Sequence, residues 1–224
     1  MTRTSILISL AVLLSGASLA ATEVAAQNRA AATAPAPAID QDALDMKEMA
    51  DQGMKLKADS EAALKSLDEK QAILSSVAKD TQGAQQFVDD MMKLLRDTAG
   101  RVGPDSAYMK TLQTQQDLLR QLAAEALSDR QAGSQAMGEQ LNARAATIAS
   151  LQAEARDVAA KLSAEIDRLE QSRPQIKYAY ALKRADEFIA TTRAYLDTVK
   201  SVLQGTSLLA TKSQNFARPP VPTN

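Results

Sequence analysis

Apolar residues recur at alternating spacings of three and four along most of this chain, and that pattern limits the fold more than any other feature. Of fifteen such positions between Met46 and Leu95, eleven are apolar when Ala is counted. So narrow an apolar seam is typical of the a and d positions of a coiled coil. The chain has 43 Ala but only 7 Phe or Tyr and no Trp, too little apolar mass for a thick globular core. The sequence therefore predicts an all-α fold.

Glycine and proline interrupt this pattern. Gly100, Gly103 and Pro104 follow the first long seam and suit the end of one helix and the start of another. Pro174 lacks a backbone N–H and disfavours helix at the residue before it, so we predict a turn there, with a kink in one continuing helix as the alternative. The predicted helices cover about 40–99, 105–172 (with a possible kink at the glycines of 131–139) and 175–210.

Short connections between long helices make antiparallel neighbours. We therefore predict one elongated, antiparallel coiled-coil domain over 39–212, arranged as an up-down-up three-helix bundle in which the first and third helices run parallel. Residues 39–98 carry 13 acids and 8 bases, a net charge of −5, whereas 174–224 carry 3 acids and 7 bases, a net charge of +4. Opposite charge favours packing of these two helices, although each exposed ion pair adds only about 0–1 kcal/mol.

Residues 1–20 have the three parts of a secretory signal peptide. Arg3 supplies the positive charge, residues 6–14 the apolar stretch, and 18–20 (Ser-Leu-Ala) the cleavage pattern. A second possible cleavage site follows residues 24–26. The apolar run is about nine residues, shorter than the roughly 20 that span a bilayer. We predict cleavage and export to a bacterial periplasm or the cell exterior, with an uncleaved N-terminal anchor as the alternative.

Two segments flank the predicted helical domain. Residues 21–38 are mostly Ala, Thr and Pro with little to bury, and they predict a flexible spacer. The tail of residues 213–224 contains three prolines and predicts disorder.

The composition excludes much chemistry. With no Cys and no His, the chain has no disulfide, no His-based triad and no tetrahedral zinc site. The nucleophile and phosphate-loop motifs are also absent. Carboxylate pairs need a desolvated pocket for acid–base work, which a thin helical domain does not predict. We therefore predict no catalytic residues and no cofactor, and a protein that is not an enzyme.

Methionines are the one candidate metal set. Thioether ligands from Met46, Met49 and Met54 suit Cu(I), a soft metal. The alternative is ordinary core packing, because Met46 and Met49 lie on the apolar seam.

Bases and aromatics alternate near the start of the third predicted helix, as on surfaces that stack against sugars or bases. We assign Tyr178 to the apolar stripe of that helix, which leaves Tyr180 as the exposed aromatic. The alternative is a packed tyrosine on a solvated face. The net charge of −1 argues against a nucleic-acid partner. The candidate interaction residues are Lys177, Tyr180, Lys183 and Arg184.

Taken together, these features predict an exported helical structural or interaction protein of the cell envelope: a spacer, adaptor or assembly subunit. It would bind a protein partner or a second copy through its helical faces, with possible contact to the envelope surface. In length and helical organisation the chain is similar to the exported, Cys-poor minor-pilin-like subunits of type IV secretion systems, although an Ala/Pro spacer replaces their extended N-terminal segment. A periplasmic chaperone-like protein and a methionine copper-binding module are further alternatives.

Overall fold

The computed structural model describes residues 46–129 and 131–217, and within these ranges it contains helices and no strand. The all-α prediction is confirmed. The predicted signal peptide, spacer and last seven residues of the tail lie outside the described residues. No helix in the described ranges is long and apolar enough to cross a membrane. The helices are α1 Met46–Val77, α2 Thr81–Val102, α3 Ala107–Ser128, α4 Ala132–Ala181 and α5 Ala185–Ala217.

The first predicted helix is in fact two helices with a break at 78–80. Asp80 forms the N-cap of α2, and its carboxylate accepts a hydrogen bond of 2.8 Å from the N–H of Gly83. An Asp at this position satisfies a backbone donor that the first turn of a helix leaves unpaired. The prediction of one helix over 40–99 is wrong because the 3-4 spacing of apolar residues continues across the break, where no Gly or Pro marks it.

α1 and α2 form an antiparallel hairpin. Lys70 and Asp90, ten residues to either side of Asp80, pair at 2.9 Å, and farther from the turn Asp59 pairs with Arg101. The hydrogen bond from Lys70 holds the pKa of Asp90 below its ordinary value. These two ion pairs are consistent with one register of the α1–α2 hairpin, because the residue numbers of each pair have the same sum.

α2 and α3 lie one after the other along α4 and run antiparallel to it. Ser106 caps α3 by accepting a hydrogen bond of 3.1 Å from the N–H of Met109. Two pairs join α2 to the C-terminal half of α4, and two others join α3 to its N-terminal half. The pairs are Asp89 with Arg173, Arg96 with Glu170, Gln113 with Gln152, and Gln116 with the carbonyl of Ala145.

α3 ends at Ser128 and α4 begins at Ala132, and the two helices are antiparallel. The prediction of one helix over 105–172 with a possible kink at 131–139 is therefore wrong, because the chain reverses at the start of that stretch. Gly138 lies inside α4, where a Cβ atom would come within 2.6 Å of Leu127. This glycine therefore allows α3 and α4 to approach closely, as a residue without a side chain can.

α4 continues through Pro174 to Ala181, so the predicted turn at Pro174 is wrong and the alternative of one continuing helix is correct. Proline removes one backbone donor, but the neighbouring side chains hold the helix in place. Arg173 pairs with Asp89 of α2, and Ile176 is fully buried. The turn lies instead at 182–184.

α5 runs antiparallel to both α4 and α1. Lys212 pairs with Glu154 of α4 at 2.7 Å, and Lys200 pairs with Asp68 of α1 at 2.6 Å. α5 also extends to Ala217, into the segment predicted to be disordered from 213.

The described helices thus form four antiparallel columns: α1, then α2 with α3, then α4, then α5. The up-down-up three-helix arrangement is wrong for two reasons. The chain reverses at 78–80 and between α3 and α4, where no reversal was predicted, and it does not reverse at 103–106, because α2 and α3 run in the same direction. The predicted contact between the first helix and the C-terminal segment does occur, between α1 and α5, but the two helices are antiparallel. The predicted cause is wrong, because α1 carries 6 acids and 5 bases and α5 carries 3 acids and 3 bases, so neither helix has the large net charge of its segment.

Tyr108 makes stability depend on pH. Its hydroxyl lies 2.5 Å from that of Ser213, and burial raises its pKa to about 12. Because the unfolded tyrosine ionises near pH 10, the contribution of Tyr108 to the free energy of unfolding should be constant below about pH 10 and fall by about 2–3 kcal/mol as the pH rises to about 12. Urea denaturation at a series of pH values measures this, and Tyr108→Phe should show a smaller fall over the same pH range than the wild type. A wild-type profile that stays level to pH 12 would contradict the assignment.

Candidate functional site

The turns at 78–80 and 182–184 lie at the same end of the bundle, here called the two-turn end. Tyr180 connects them: its hydroxyl donates a hydrogen bond of 2.5 Å to the carbonyl of Ala78. Its ring centroid lies 5.9 Å from that of Phe188 in α5. Burial raises the pKa of Tyr180, as expected for a phenol withdrawn from water. This side chain therefore ties three helices together.

α4 ends at the two-turn end in a Schellman motif. The N–H of Arg184 bonds to the carbonyl of Ala179 at 2.8 Å, and the N–H of Lys183 bonds to that of Tyr180 at 3.1 Å. Lys183 has a φ of 59°, the left-handed conformation that this motif requires and that glycine usually supplies. The sharp reversal brings the start of α5 back along α4.

A groove of about 370 Å³ opens between α4 and α5 below this turn. Its volume is within the range of ligand-binding clefts. Val88 of α2 and Leu169 of α4 are both buried and form its apolar floor. Arg168 and Glu187 contribute the charged groups of the lining. The remaining lining residues are Ser172, Gln175 and Ala179 from α4 and Phe188, Thr191, Thr192 and Tyr195 from α5.

The groove exists because small side chains line both of its helices. Ser172 and Ala179 on α4, with Thr191 on α5, are too short to fill the space between the two backbones. Interiors are normally packed to high density, so a gap of this size at a helix interface leaves room for atoms from elsewhere.

Three polar side chains of the groove lining have partners within α4 or across to it. Tyr195 donates a hydrogen bond of 2.9 Å to the carbonyl of Glu165, and burial raises its pKa. Ser172 donates one of 2.7 Å to the carbonyl of Leu169. Arg168 lies 3.2 Å from the carboxylate of Glu165. The surface left for a ligand is therefore largely apolar.

A shallower concavity continues from the groove around Pro174 and shares Gln175, Ala179 and Glu187 with it. Tyr178 and Leu182 line this extension and are 69% and 46% exposed. Two more exposed apolar side chains, Ile73 and Val77, lie at the same end on α1. The two-turn end thus holds four of the seven large apolar side chains that are exposed in the described part of the chain.

The predicted interaction residues do come together at the two-turn end, but the roles of the two tyrosines are reversed. Tyr180 is partly buried and Tyr178 is exposed. The reason is that both belong to α4, whose seam continues through Pro174 and turns Ile176 and Tyr180 inward. Lys177 and Lys183 are exposed, and Arg184 pairs with Glu187 at 3.8 Å.

The three methionines of the candidate copper set do not share one face of α1. Met49 is fully buried and Met46 is partly buried, whereas Met54 is 53% exposed. A set of thioether ligands must converge on one point, and these do not. Among residues 46–129 and 131–217 there is also no cluster of three carboxylates suited to a metal ion.

The sequence analysis did not predict the groove. The signal that could have indicated it is the apolar seam of α4, which continues past Pro174. Leu162, Ile166, Leu169, Ile176 and Tyr180 keep the 3-4 spacing on both sides of Pro174, which favours a continuing helix. Comparison with protein-family models, curated proteins and solved structures finds no match for this chain.

The left-handed Lys183 gives a test of the turn. Lys183→Gly should raise the free energy of unfolding by about 0.5–1 kcal/mol, because glycine adopts this conformation without the clash of a Cβ atom. Lys177→Gly, inside α4, is the matched control and should lower it by about 1 kcal/mol. Urea denaturation measures both, and equal losses for the two variants would contradict the motif.

The different roles of Tyr180 and Tyr178 can be tested by removing the hydroxyl group of each in turn. Tyr180→Phe should lower the free energy of unfolding by about 0.5–1.5 kcal/mol, because it removes the hydrogen bond to Ala78. Tyr178→Phe should leave it unchanged, since that hydroxyl is exposed. Thermal and urea denaturation of both variants, measured on dilute protein, provide the comparison. A larger loss for Tyr178→Phe than for Tyr180→Phe would contradict this assignment and support the sequence prediction, in which Tyr178 is packed and Tyr180 is exposed.

Proposed function

We propose that this chain is an exported, non-enzymatic interaction protein of the cell envelope that binds an apolar protein segment in the α4–α5 groove. The observation that supports the proposal is the combination of an apolar groove and the exposed side chains of Tyr178 and Leu182 at its mouth. Contiguous apolar surface beside a cleft is characteristic of sites that bind other proteins.

The chemistry of the groove supports binding over catalysis. Catalytic groups are activated by a base or a shifted pKa at a hydrogen-bonding distance from substrate. Here the hydroxyls of Ser172 and Tyr195 donate to backbone carbonyls, which holds them away from such a role. An apolar floor and small walls instead fit the side chains of a helix, the mode in which an amphipathic helix lies in a groove.

The cellular location in this proposal comes from the N-terminal pattern. Arg3, the apolar run at 6–14 and the small residues at 18–20 support cleavage and export to the periplasm or the cell exterior. A long helical protein without Cys needs no disulfides there, because helix packing supplies its stability.

The groove is tested by filling it. Thr191→Trp places an indole among the lining residues, and Thr198→Trp makes the same change seven residues later on α5, outside that lining. After chemical cross-linking of the periplasmic and envelope fractions, we expect the groove-filling variant to lose a cross-linked species that wild type and the control retain. A species that all three proteins form equally, or no species with any of them, would overturn the proposal.

Export has its own measurement. Mass spectrometry of the protein purified from the periplasm should show an N-terminus after Ala20 or Ala26. A full-length chain found in the cytoplasm would contradict this part of the proposal.

A further inference from the structure

Three exposed apolar side chains form a stripe on the outer side of α4, here called the outer stripe. Pro174, Tyr178 and Leu182 follow one another at intervals of four residues, so they lie along one side of the helix over about 12 Å. All three line the extension of the α4–α5 groove, and Tyr178 is 69% exposed. The solvent side of a helix is normally polar, so an apolar stripe there is a candidate binding surface.

We propose that the outer stripe binds the Pro-rich segment of residues 218–224 of another copy of this chain, so that copies join head to tail. The inference rests on the proposed function for its surface, because Tyr178 and Leu182 form the mouth of the groove. It adds the identity of the segment that covers this mouth, whose sequence is Arg-Pro-Pro-Val-Pro-Thr-Asn.

The spacing of the prolines suits the outer stripe. Proline fixes its own φ at about −65°, so this sequence favours the polyproline II conformation, which has three residues per turn. Pro219 and Pro222 are three residues apart, which places their rings on one side of that conformation, about 9 Å from each other. This separation fits within the stripe of about 12 Å, on either side of Tyr178. Surfaces with an exposed aromatic ring bind such proline pairs at a low entropic cost, because proline already restricts the free segment.

The polar groups beside the outer stripe also suit proline. A proline has a backbone carbonyl but no N–H, so a Pro-rich segment needs hydrogen-bond donors more than acceptors. Gln175 lines both the groove and its extension, is exposed, and carries an amide that donates. An extended segment without proline would need an acceptor for every N–H that faces the stripe, and apolar side chains supply none.

Charge at the extension favours this segment over an acidic one. Arg218 comes directly before the prolines and is the only charged side chain among residues 218–224. Glu187 lines the extension, and its side chain is 71% exposed. Its carboxylate lies 3.8 Å from Arg184, the other charged residue of that lining, which is longer than a hydrogen bond. Because a carboxylate accepts several hydrogen bonds, Glu187 pairs with Arg218 of another copy while it stays beside Arg184.

The segment that binds belongs to another copy, because that of the same chain is too far away. α5 is 33 residues long, about 50 Å, with Glu187 at its start and Ala217 at its end. The seven residues that follow Ala217 span at most about 25 Å when fully extended. The outer stripe and the segment are therefore unlike surfaces at opposite ends of α5, and such an interface joins copies in an open row.

Mixing two variants tests the head-to-tail contact. Analytical ultracentrifugation of the mature chain should show association that rises with concentration. Tyr178→Ser, and separately the double variant Pro219→Ser with Pro222→Ser, should each weaken it at least about tenfold. A 1:1 mixture of the two should form a complex of two chains and stop there, because one chain supplies the intact stripe and the other the intact segment. A wild type that is monomeric at every concentration, or a mixture no larger than the separate variants, would overturn the inference.

Two control variants separate this contact from general hydrophobic association. Leu208→Ser removes an apolar side chain of α5 that is 58% exposed and lies outside the extension, and Thr223→Ala changes the segment without removing a proline. Both should associate as the wild type does. Equal weakening by Leu208→Ser and Tyr178→Ser would overturn the role of the outer stripe. Equal weakening by Thr223→Ala and the proline double variant would overturn the role of the prolines.

A charge exchange tests the pairing of Glu187 with Arg218. Glu187→Arg and Arg218→Glu should each weaken the association, because each places like charges together. The variant with both changes should recover much of the wild-type affinity. Glu187 is exposed, so the helical CD spectrum should be the same for all of these variants. Additive weakening in the variant with both changes would overturn the pairing.

The inference and the proposed function can fail separately. Association that depends on Tyr178 and on the prolines, with no species in the cell fractions that Thr191→Trp removes, would support the inference and overturn the proposed function. A monomeric chain that forms a groove-dependent cross-link to a different protein would overturn the inference and support the proposed function.

Discussion

The structure depends on the narrowness of its apolar seams. A helix whose buried face is mostly Ala, Leu and Met covers little area by itself, so each helix needs neighbours on both sides of its seam. The chain provides them by reversing at 78–80, 129–131 and 182–184. Close approach then depends on small residues. At Gly53 a Cβ atom would lie 3.2 Å from Gln214, and at Gly138 it would clash with Leu127.

The same reliance on small residues opens the α4–α5 groove. At the α3–α4 interface Gly138 faces the larger side chain of Leu127. Where Ser172 and Ala179 line one side and Thr191 the other, the space between the helices is left unfilled. Tyr180 holds the turns together across that end through Ala78, so the gap is supported by its surroundings. A groove kept open by fixed neighbours is preorganised for a ligand.

Local sequence patterns predicted the helical class and a contact between the first helix and the C-terminal segment, and the described residues have both. The charge asymmetry behind the predicted contact does not belong to the two helices that pack, since α1 carries 6 acids and 5 bases and α5 carries 3 of each. The patterns therefore predicted the right contact for a reason that α1 and α5 do not show. They did not predict where the chain turns. The break at 78–80 has no Gly or Pro, and only the cap made by Asp80 distinguishes it. Pro174 suggested a turn that tertiary contacts override, because Arg173 and Ile176 are held by α2 and the core. The groove was not predicted, because a turn placed at Pro174 assigns Gln175 and Ala179 to the same helix as Thr191, whereas in the structure they lie across the groove from it.

The outward position of Tyr178 follows from the phase of α4. Ile176 and Tyr180 occupy consecutive seam positions, so Tyr178, midway between them, must point away from the core. Its exposure alone therefore carries no functional meaning, because any residue at position 178 would be exposed. Two other features of Tyr178 matter more: it is a large aromatic residue, and it borders the extension of the α4–α5 groove. A large aromatic side chain at a largely exposed position beside an apolar groove adds contiguous apolar surface to the mouth of that groove. This is the surface on which the proposed binding of an apolar protein segment rests.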